Sequence, residues 1–397
     1  MKRTTPRRHC MVVDNYYPDI RVEREARALV RRGHQVDVIC LRNEGEPAIE
    51  HADGITIHRL PVRRQRGMSL GVQLREYVSF FLRATFLVTR RHLSRRYDVV
   101  QAHNVPNFLV FSAIAPKLSG TPVILDMHDL MPEFFASRFG GRADSLRMRL
   151  VRLEERVSAA FADQLITVTK LWADALVERG QRAERVEVVM NLPDEDLFAP
   201  RAPVIREAPE PLTLVYHGTI TRRYGIDVLL QALAAVRSRR PVRLILHGRG
   251  EYVPEVERLI GELDLAEVVE LSTALLPTGE LPGIIGRADI GIVPNRRDVF
   301  TDGILPTKLM EYAALGVPAI VSRTGATEAY FSDEMVRYVP AGDADALADA
   351  IVELGDDPRR REAMATAAQA FSTTHRWPEE ADRYVELVER LGRRRRA

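Results

Sequence analysis

Short apolar runs rich in β-branched residues alternate along the chain with longer segments of helical period. In the first half the runs are Val12-Val13, Val36-Asp37-Val38-Ile39, Ile55-Thr56-Ile57, Val99-Val100, Val123-Ile124-Leu125, Leu165-Ile166-Thr167-Val168 and Val186-Glu187-Val188-Val189. A helical stretch through Glu23, Ala26, Leu29 and Val30 to Gly33 separates the first two. Strand, helix, strand at this cadence predicts a parallel sheet covered on both faces. The pattern pauses at Pro193 to Pro211, a linker with five prolines, and then restarts. The second set reads Leu212-Thr213-Leu214-Val215, Leu244-Ile245-Leu246, Val268-Val269-Glu270-Leu271, Ile290-Gly291-Ile292-Val293, Ala319-Ile320-Val321 and Val336-Arg337-Tyr338-Val339. Helices are expected between them, over Val228 to Arg237 and Lys308 to Leu315 among others. The pattern predicts an α/β chain of two doubly wound, Rossmann-like domains in tandem. A last helix, Pro378 to Leu391, follows the completed second set and is free to pack elsewhere.

A length of 397 residues suits two domains better than one core. An apolar fraction of 46% and a charged fraction of 28% exclude a disordered chain. No run approaches the roughly 18 to 20 uncharged apolar residues of a spanning helix. The basic start, Met1 to Arg8, leads into a strand and not into a signal-peptide core, so a cytoplasmic protein is expected. Cys10 and Cys40 are the only cysteines, too few for a disulfide framework or a metal-ligand set.

In open parallel sheets, ligands bind beyond the carboxyl ends of the strands. The first strand ends in Asp14-Asn15, the fourth in His103-Asn104, the fifth in Asp126-Met127-His128-Asp129 and the seventh at Asn191. Each is compatible with a loop residue or helix cap; together they put polar side chains on one rim. His128, between two carboxylates, is placed to exchange a proton or bond a sugar hydroxyl, or else to bridge backbone groups. It has no compact third and fourth ligand in the sequence, so no metal is expected there. The first strand lacks the dinucleotide fingerprint, and Gly248-Arg249-Gly250 lacks the third glycine, which disfavours NAD or FAD.

In the second half Pro306-Thr307-Lys308 opens a helix whose free N–H groups and dipole suit a diphosphate. Lys308 and Glu311 share a face, as ligand contacts or as a solvated pair. His217-Gly218-Thr219 follows the first strand of this half, with Arg222 and Arg223 offering planar donors for phosphate, or simply forming a turn. Asp194-Glu195-Asp196 and Asp343-Ala344-Asp345 look like metal-binding pairs but have no companion ligands, and are read as solvated loop acids.

These motifs, in this order, resemble the retaining glycosyltransferases of family 4, which have the GT-B fold, over nearly the whole chain. The resemblance rests on Arg32-Gly33-His34 before Asp37-Val38-Ile39, Asp126-x-His128-Asp129 with Pro132-Glu133, and Asn191 before Phe198. It continues through His217-Gly218-Thr219, Gly248-x-Gly250, Ala288-Asp289-Ile290 before Pro294, Pro306-x-Lys308-x-x-Glu311 with Gly316-Val317-Pro318, and Trp377. It implies an N-terminal acceptor domain, 1–193, to which a helix of about 376–397 returns, and a donor domain, 194–375, facing it across a cleft. A nucleotide sugar, UDP- or GDP-linked, would bind the donor domain as co-substrate, with no further cofactor. Glu311 matches the glutamate that holds the ribose hydroxyls, and His128 the histidine near the transferred sugar. Asp129 joins His128 as a catalytic candidate, and Gly218, Thr219, Arg222, Arg223, Gly248, Gly250, Pro306, Thr307 and Lys308 line the donor. Acceptor-side candidates are Asp14, Asn15, Asp19, Arg21, His103 and Asn104.

Three departures stand out. The family's second glutamate falls on Gly303, with Asp302 beside it as the substitute. Its phosphate-binding arginine and lysine fall on Thr219 and Tyr224, which leaves Arg222 or Arg223 to supply the charge. Its glycine turn after the first strand is replaced by Asp19-Ile20-Arg21-Val22. A sugar-nucleotide epimerase of the same fold and a non-catalytic nucleotide-sugar-binding protein are the alternatives.

The net charge of +2 hides ten arginines against one acid, Glu76, between Arg59 and Arg96, and a basic tail from Arg393 to Arg396. Leu70, Leu74, Val78, Phe81 and Val88 recur there at helical spacing. The segment either docks on the anionic inner membrane surface, as a lipid-linked acceptor would require, or covers the sheet with its arginines in water. No nucleic acid is expected as a partner; the acceptor is an unidentified hydroxyl compound.

Overall fold

The computed structural model describes residues 6–62, 70–139, 145–207, 210–274 and 277–394. Arg63, Arg64 and Arg66 of the basic segment, and Arg395 and Arg396 of the tail, lie outside the described residues. The chain forms two compact units, Met1–Asn191 with Pro378–Ala397, and Leu192–Trp377. No helix among the described residues is long and apolar enough to cross a membrane.

The first unit holds strands β1 (Arg8–Tyr16), β2 (Gln35–Leu41), β3 (Ile49–Ala52), β4 (Ile55–Leu60), β5 (Val99–His103), β6 (Val123–Met127), β7 (Gln164–Thr167) and β8 (Val186–Val188). Their order is β3-β4-β2-β1-β5-β6-β7-β8, all parallel except for the β3–β4 hairpin. The helices are α1 (Ile20–Arg31), α2 (Leu70–Ser94), α3 (Ile114–Leu118), α4 (Met131–Phe139), α5 (Leu146–Phe161) and α6 (Lys170–Glu178). The central strands β5 and β6 are buried at every position: each opens on an apolar run, Val99-Val100 and Val123-Ile124-Leu125, and then carries the buried polar residues Gln101, His103 and Asp126 towards its carboxyl end. The short β3 was not expected. Its Ile-Glu-His-Ala sequence sits half in solvent at the sheet edge and has no apolar run to mark it.

The second unit repeats the plan with β9 (Leu212–His217), β10 (Val242–His247), β11 (Val269–Ser272), β12 (Ile290–Val293), β13 (Ala319–Ser322) and β14 (Arg337–Val339). Here the order is β11-β10-β9-β12-β13-β14, parallel throughout. Its helices are α7 (Ile226–Arg237), α8 (Val253–Glu262), α9 (Leu281–Ile285), α10 (Thr307–Leu315), α11 (Gly325–Tyr330), α12 (Ala344–Asp356) and α13 (Pro358–Thr374). In each sheet the first strand lies centrally, and the chain turns to its other side partway through. That reversal opens a crevice at the carboxyl ends of β1 and β5, and of β9 and β12.

The last helix, α14 (Trp377–Arg394), belongs to the first unit beyond Trp377. Tyr384, Val385, Leu387, Val388 and Leu391 form its buried face. Its polar anchors are equally specific. Glu389 meets His34 at 3.2 Å and accepts on its carbonyl from Arg7 at 2.9 Å, and the Tyr384 hydroxyl donates to Gln101 at 2.7 Å. Cys10 and Cys40 are buried in β1 and β2, where loss of solvent raises both thiols and leaves them inert. Tyr384→Phe removes one buried hydrogen bond at little cost in packing; we expect it to lower stability by about 1 kcal/mol, read as a modest fall in thermal midpoint.

Candidate active site

In the first unit the site grows from the ends of β5 and β6. Asp126, the fourth residue of β6, has no solvent exposure. Arg21, from the first turn of α1, grips it with a two-pronged fork, Nε to Oδ2 and Nη2 to Oδ1, each 3.0 Å. Asp19 starts α1 by capping the N–H groups of Arg21 and Val22, and so sets where that fork lies. His103 Nδ1 and His128 Nε2 reach the same carboxylate oxygen, Oδ2, at 3.0 and 3.2 Å, and stand 3.2 Å from one another. Burial alone would raise the Asp126 carboxyl, but the Arg21 guanidinium and the two imidazoles hold it well below the usual carboxylate range.

A second layer backs this cluster. Glu25 lies 3.2 Å from Arg21, Gln101 donates to Glu25 at 2.7 Å, and Tyr384 donates to Gln101. Burial, with the charge of Asp126, pushes the Glu25 carboxyl up to about 7. Asn104 accepts from the His128 backbone N–H at 2.8 Å and donates to Asn107 and to the Asp129 carbonyl, fixing the loop that carries His128. His128 alone of the cluster keeps part of its side chain, 22%, in solvent.

Sequence reasoning expected no compact ligand set around His128, yet His103, Asp126 and His128 offer three ligand atoms within 4.8 Å of one another. Both Asp126 oxygens already carry the guanidinium fork, and a cation placed there would face Arg21 directly. The arrangement fits a hydrogen-bonded network better than a metal site. The acceptor-side candidates Asn15, Asp19, Arg21, His103 and Asn104 have partners within the first unit. Arg21 and His103 are buried and committed to Asp126, Asn104 to the His128 loop, and Asp19 to the cap of α1. Asn15 donates to Asp19 at 3.0 Å, and Asp14 is buried at the end of β1.

The second unit's site gathers at β9 and α10. Lys308, in the first turn of α10, is buried, with its ammonium 5.0 Å over the Tyr216 ring and 5.1 Å over that of Tyr224. Among the described residues no carboxylate lies within ion-pair distance of it. Burial lowers this ammonium to about 8, only partly offset by Glu311. Pro306 precedes α10 and no side chain caps the helix; the Leu309 N–H turns back to the Pro306 carbonyl at 3.0 Å, which leaves the N–H groups of the exposed Thr307 and of Lys308 uncapped. Glu311 Oε2 lies 3.0 Å from His217 Nε2, close enough for charge attraction but not aligned as a hydrogen bond. Gly218, at φ +112, passes over Lys308, and a Cβ there would touch the lysine Cε at 3.5 Å.

Gly248 and Gly250 were expected to line the donor. Within the described residues, the space at each is taken up by neighbouring backbone. A Cβ on Gly248 would stand 1.8 Å from the Gly218 carbonyl oxygen, and one on Gly250 1.9 Å from that of Ile220. The loops after β9 and β10 are interlocked, through Gly218 N–H to His247 O at 2.9 Å and Ile220 N–H to Arg249 O at 2.8 Å. Of the two arginines, Arg222 is exposed, whereas Arg223 stacks on Phe300 at 5.1 Å. Asp302, expected as the substitute for a glutamate at 303, is engaged elsewhere. It accepts the first N–H of α11, from Gly325, at 2.7 Å and pairs with Arg297 at 2.9 Å. Thr219 holds the Tyr216 hydroxyl through its carbonyl at 2.7 Å.

With this geometry in view, the comparisons with known proteins are direct. Residues 18–191 match the Glycosyl transferase 4-like domain, and residues 211–357 match the Glycosyl transferases group 1 domain. D-inositol 3-phosphate glycosyltransferase from Thermomonospora curvata is 27% identical, covering 91% of this chain and 88% of its own. A GDP-mannose-dependent alpha-(1-6)-phosphatidylinositol monomannoside mannosyltransferase from Mycolicibacterium smegmatis is 33% identical over 42% of this chain and 44% of its own. Among solved structures, sucrose-phosphate synthase from Thermosynechococcus elongatus superimposes with a TM-score of 0.77 at 20% identity, over 97% of this chain and 99% of its own. Anabaena HepE in complex with UDP-glucose gives 0.71 at 17%, over 96% and 99%. The chain is a glycosyltransferase of GT-B fold and belongs to the family-4-like group.

Two outcomes test the packing of the sites. Gly250→Ala should lower the thermal midpoint by an amount equivalent to at least about 1–3 kcal/mol, since backbone must move to admit the methyl. Glu25 binds a proton in the folded state between its ordinary 4.5 and about 7, so its contribution is present at low pH and is lost as pH rises through that window. Relative to the parent protein, Glu25→Gln should therefore gain stability steadily from pH 4.5 to 7 in a series of thermal melts.

Proposed function

We propose that this enzyme moves a sugar, with retention of anomeric configuration, from a UDP- or GDP-linked donor to an acceptor hydroxyl. The observation that carries the reading is Lys308. An ammonium taken out of water with aromatic faces for company, and no carboxylate in ion-pair range among the described residues, is costly until an anion arrives. A diphosphate supplies that anion, and the uncapped N–H groups at the start of α10 belong to Thr307 and Lys308 itself. The relatives support the same reading, one being a GDP-mannose-dependent mannosyltransferase and another a structure in complex with UDP-glucose. Retention, and the roles of single residues, rest on the resemblance to family 4.

On this reading the bond between the sugar's anomeric carbon and the diphosphate oxygen breaks, and the bond to the acceptor oxygen forms on the same face. Negative charge grows on the leaving diphosphate, where Lys308, the α10 N–H groups and Arg222 receive it. Removing one such donor typically costs about 3–4 kcal/mol, or 100- to 1,000-fold in rate. Glu311 holds the ribose hydroxyls, braced by His217. His128 bonds a hydroxyl of the transferred sugar, its ring held by Asp126. No metal or further cofactor takes part in this proposal. The acceptor's hydroxyl proton leaves with the diphosphate oxygen. A peripheral contact with an anionic membrane through the basic segment 59–96 is part of the same proposal.

Incubation with a panel of UDP- and GDP-sugars should release nucleoside diphosphate from one of them, at a rate that Lys308→Ala, Glu311→Ala and His128→Ala each reduce 100-fold or more. Release from none of the panel, or from all three variants at the parent rate, rejects the assignment. Donor affinity should also weaken as pH rises past about 8, where Lys308 loses its proton. Because the diphosphate prefers the charged lysine, binding below that pH is tighter, and titration calorimetry across the range would show it. A flat profile removes Lys308 from the site.

A further inference from the structure

Helix α5 has an unusual distribution of residues. Its two acids turn inward. Glu154 accepts from the Phe108 N–H at 2.6 Å and from Asn107 at 3.0 Å, and the buried Glu155 accepts from Arg179 at 2.8 Å. Its large aliphatic residues turn outward, with Leu146, Leu150, Leu153 and Val157 all exposed, Leu146 by 72%. Between them stand Arg147, Arg149, Arg152 and Arg156, also exposed. The solvent face of α5 therefore carries leucines and arginines and no acid. A soluble surface helix interleaves both signs of charge and keeps its leucines inside.

Helix α2 does the same. Phe80, Ala84 and Val88 are buried, whereas Leu74, Val78, Leu82 and Phe86 form an exposed row four residues apart that Leu93 extends. Arg75, Arg83 and Arg90 are exposed, as are Arg95 and Arg96 just beyond its end, and the helix's one acid, Glu76, is half-buried. Arg59, counted with the basic segment from sequence, is instead buried in β4 and paired with Glu46 and Glu50. Helices α2 and α5 pack on the same turn, Asn107–Ala113. Phe81 meets Phe108 at 5.7 Å from one helix, and Phe161 meets Phe111 at 5.0 Å from the other. The adjoining α3 adds an exposed Leu118.

We propose that α5 is a second membrane-docking helix, and that with α2 it seats the first unit on an anionic lipid bilayer. This rests on the peripheral-membrane part of the proposed function and extends it to a helix outside the basic segment. The occupant follows from chemistry. Apolar side chains of this size gain by entering the acyl boundary, and arginines beside them reach anionic headgroups with their stems still in apolar contact. A protein partner would need acids to match nine arginines; a bilayer containing phosphatidylglycerol supplies them as a continuous sheet.

The test is vesicle flotation of the full chain, with phosphatidylcholine alone and with phosphatidylcholine mixed with phosphatidylglycerol, at low and high salt. The parent protein should float only with the anionic vesicles, and less at high salt. Arg149→Gln with Arg156→Gln should weaken binding about 30-fold, at about fivefold per arginine. Leu146→Ser, Leu150→Ser and Val157→Ser combined should abolish it, and so should Leu82→Ser with Phe86→Ser on α2. All these side chains are exposed, so circular dichroism and diphosphate release from a soluble donor should stay at parent values. That control separates failure here from failure of the glycosyl-transfer reading. If only the α2 variant loses binding, α5 has no part and the inference falls. It falls equally if the parent ignores anionic vesicles, or if sedimentation shows a dimer that the α5 variants dissociate.

Discussion

Taking a carboxylate wholly out of water costs several kcal/mol unless its charge is met on the spot, and at the end of β6 the first unit accepts that burden. Arg21 meets it with a two-pronged bond, and the whole upper rim of the sheet is arranged around the pair. Asp19 must cap α1 where it does so that the guanidinium arrives, Gln101 must point up from β5 to satisfy Glu25, and Tyr384 must come from the far end of the chain to satisfy Gln101. Only after these contacts are made does one edge of Asp126 remain for two imidazoles. The position of His128 is thus inherited from a buried ion pair, through a single carboxylate oxygen.

The second unit uses the opposite device. Its buried charge, Lys308, has no carboxylate partner among the described residues, and Gly218 passes directly over it. The first unit's charge is met by a guanidinium and two imidazoles, whereas the second unit's charge faces aromatic rings, which on the proposed reading leaves it for a ligand. In an enzyme that must hold one substrate while releasing another, such a division of labour is physically reasonable, because a preset cation attracts a diphosphate at no cost in rearrangement.

What was legible in the sequence follows the same physics. Strands buried on both faces announce themselves as apolar runs, so the two sheets could be read off directly, while the half-exposed β3 could not. Residue types at the strand ends were legible because topology alone puts them there. Their partners were not. Arg21 and Asp126 are 105 positions apart, and nothing local links them. Position 302 looked like a displaced acid near the donor, yet the start of α11 takes it as a cap. The glycines at 248 and 250 matched a motif, but the backbone crowding around them is something no one-dimensional pattern contains.

The interlocked glycines after β9 and β10 carry a consequence for anyone redesigning this enzyme. Because the Gly218 and Ile220 carbonyls lie where side chains at 248 and 250 would otherwise be, neither loop has freedom to be exchanged alone. A graft from a relative that altered only the 217–225 segment would meet the old 248–250 segment in the wrong place. The two behave as one cassette, and specificity transplants should carry both halves together.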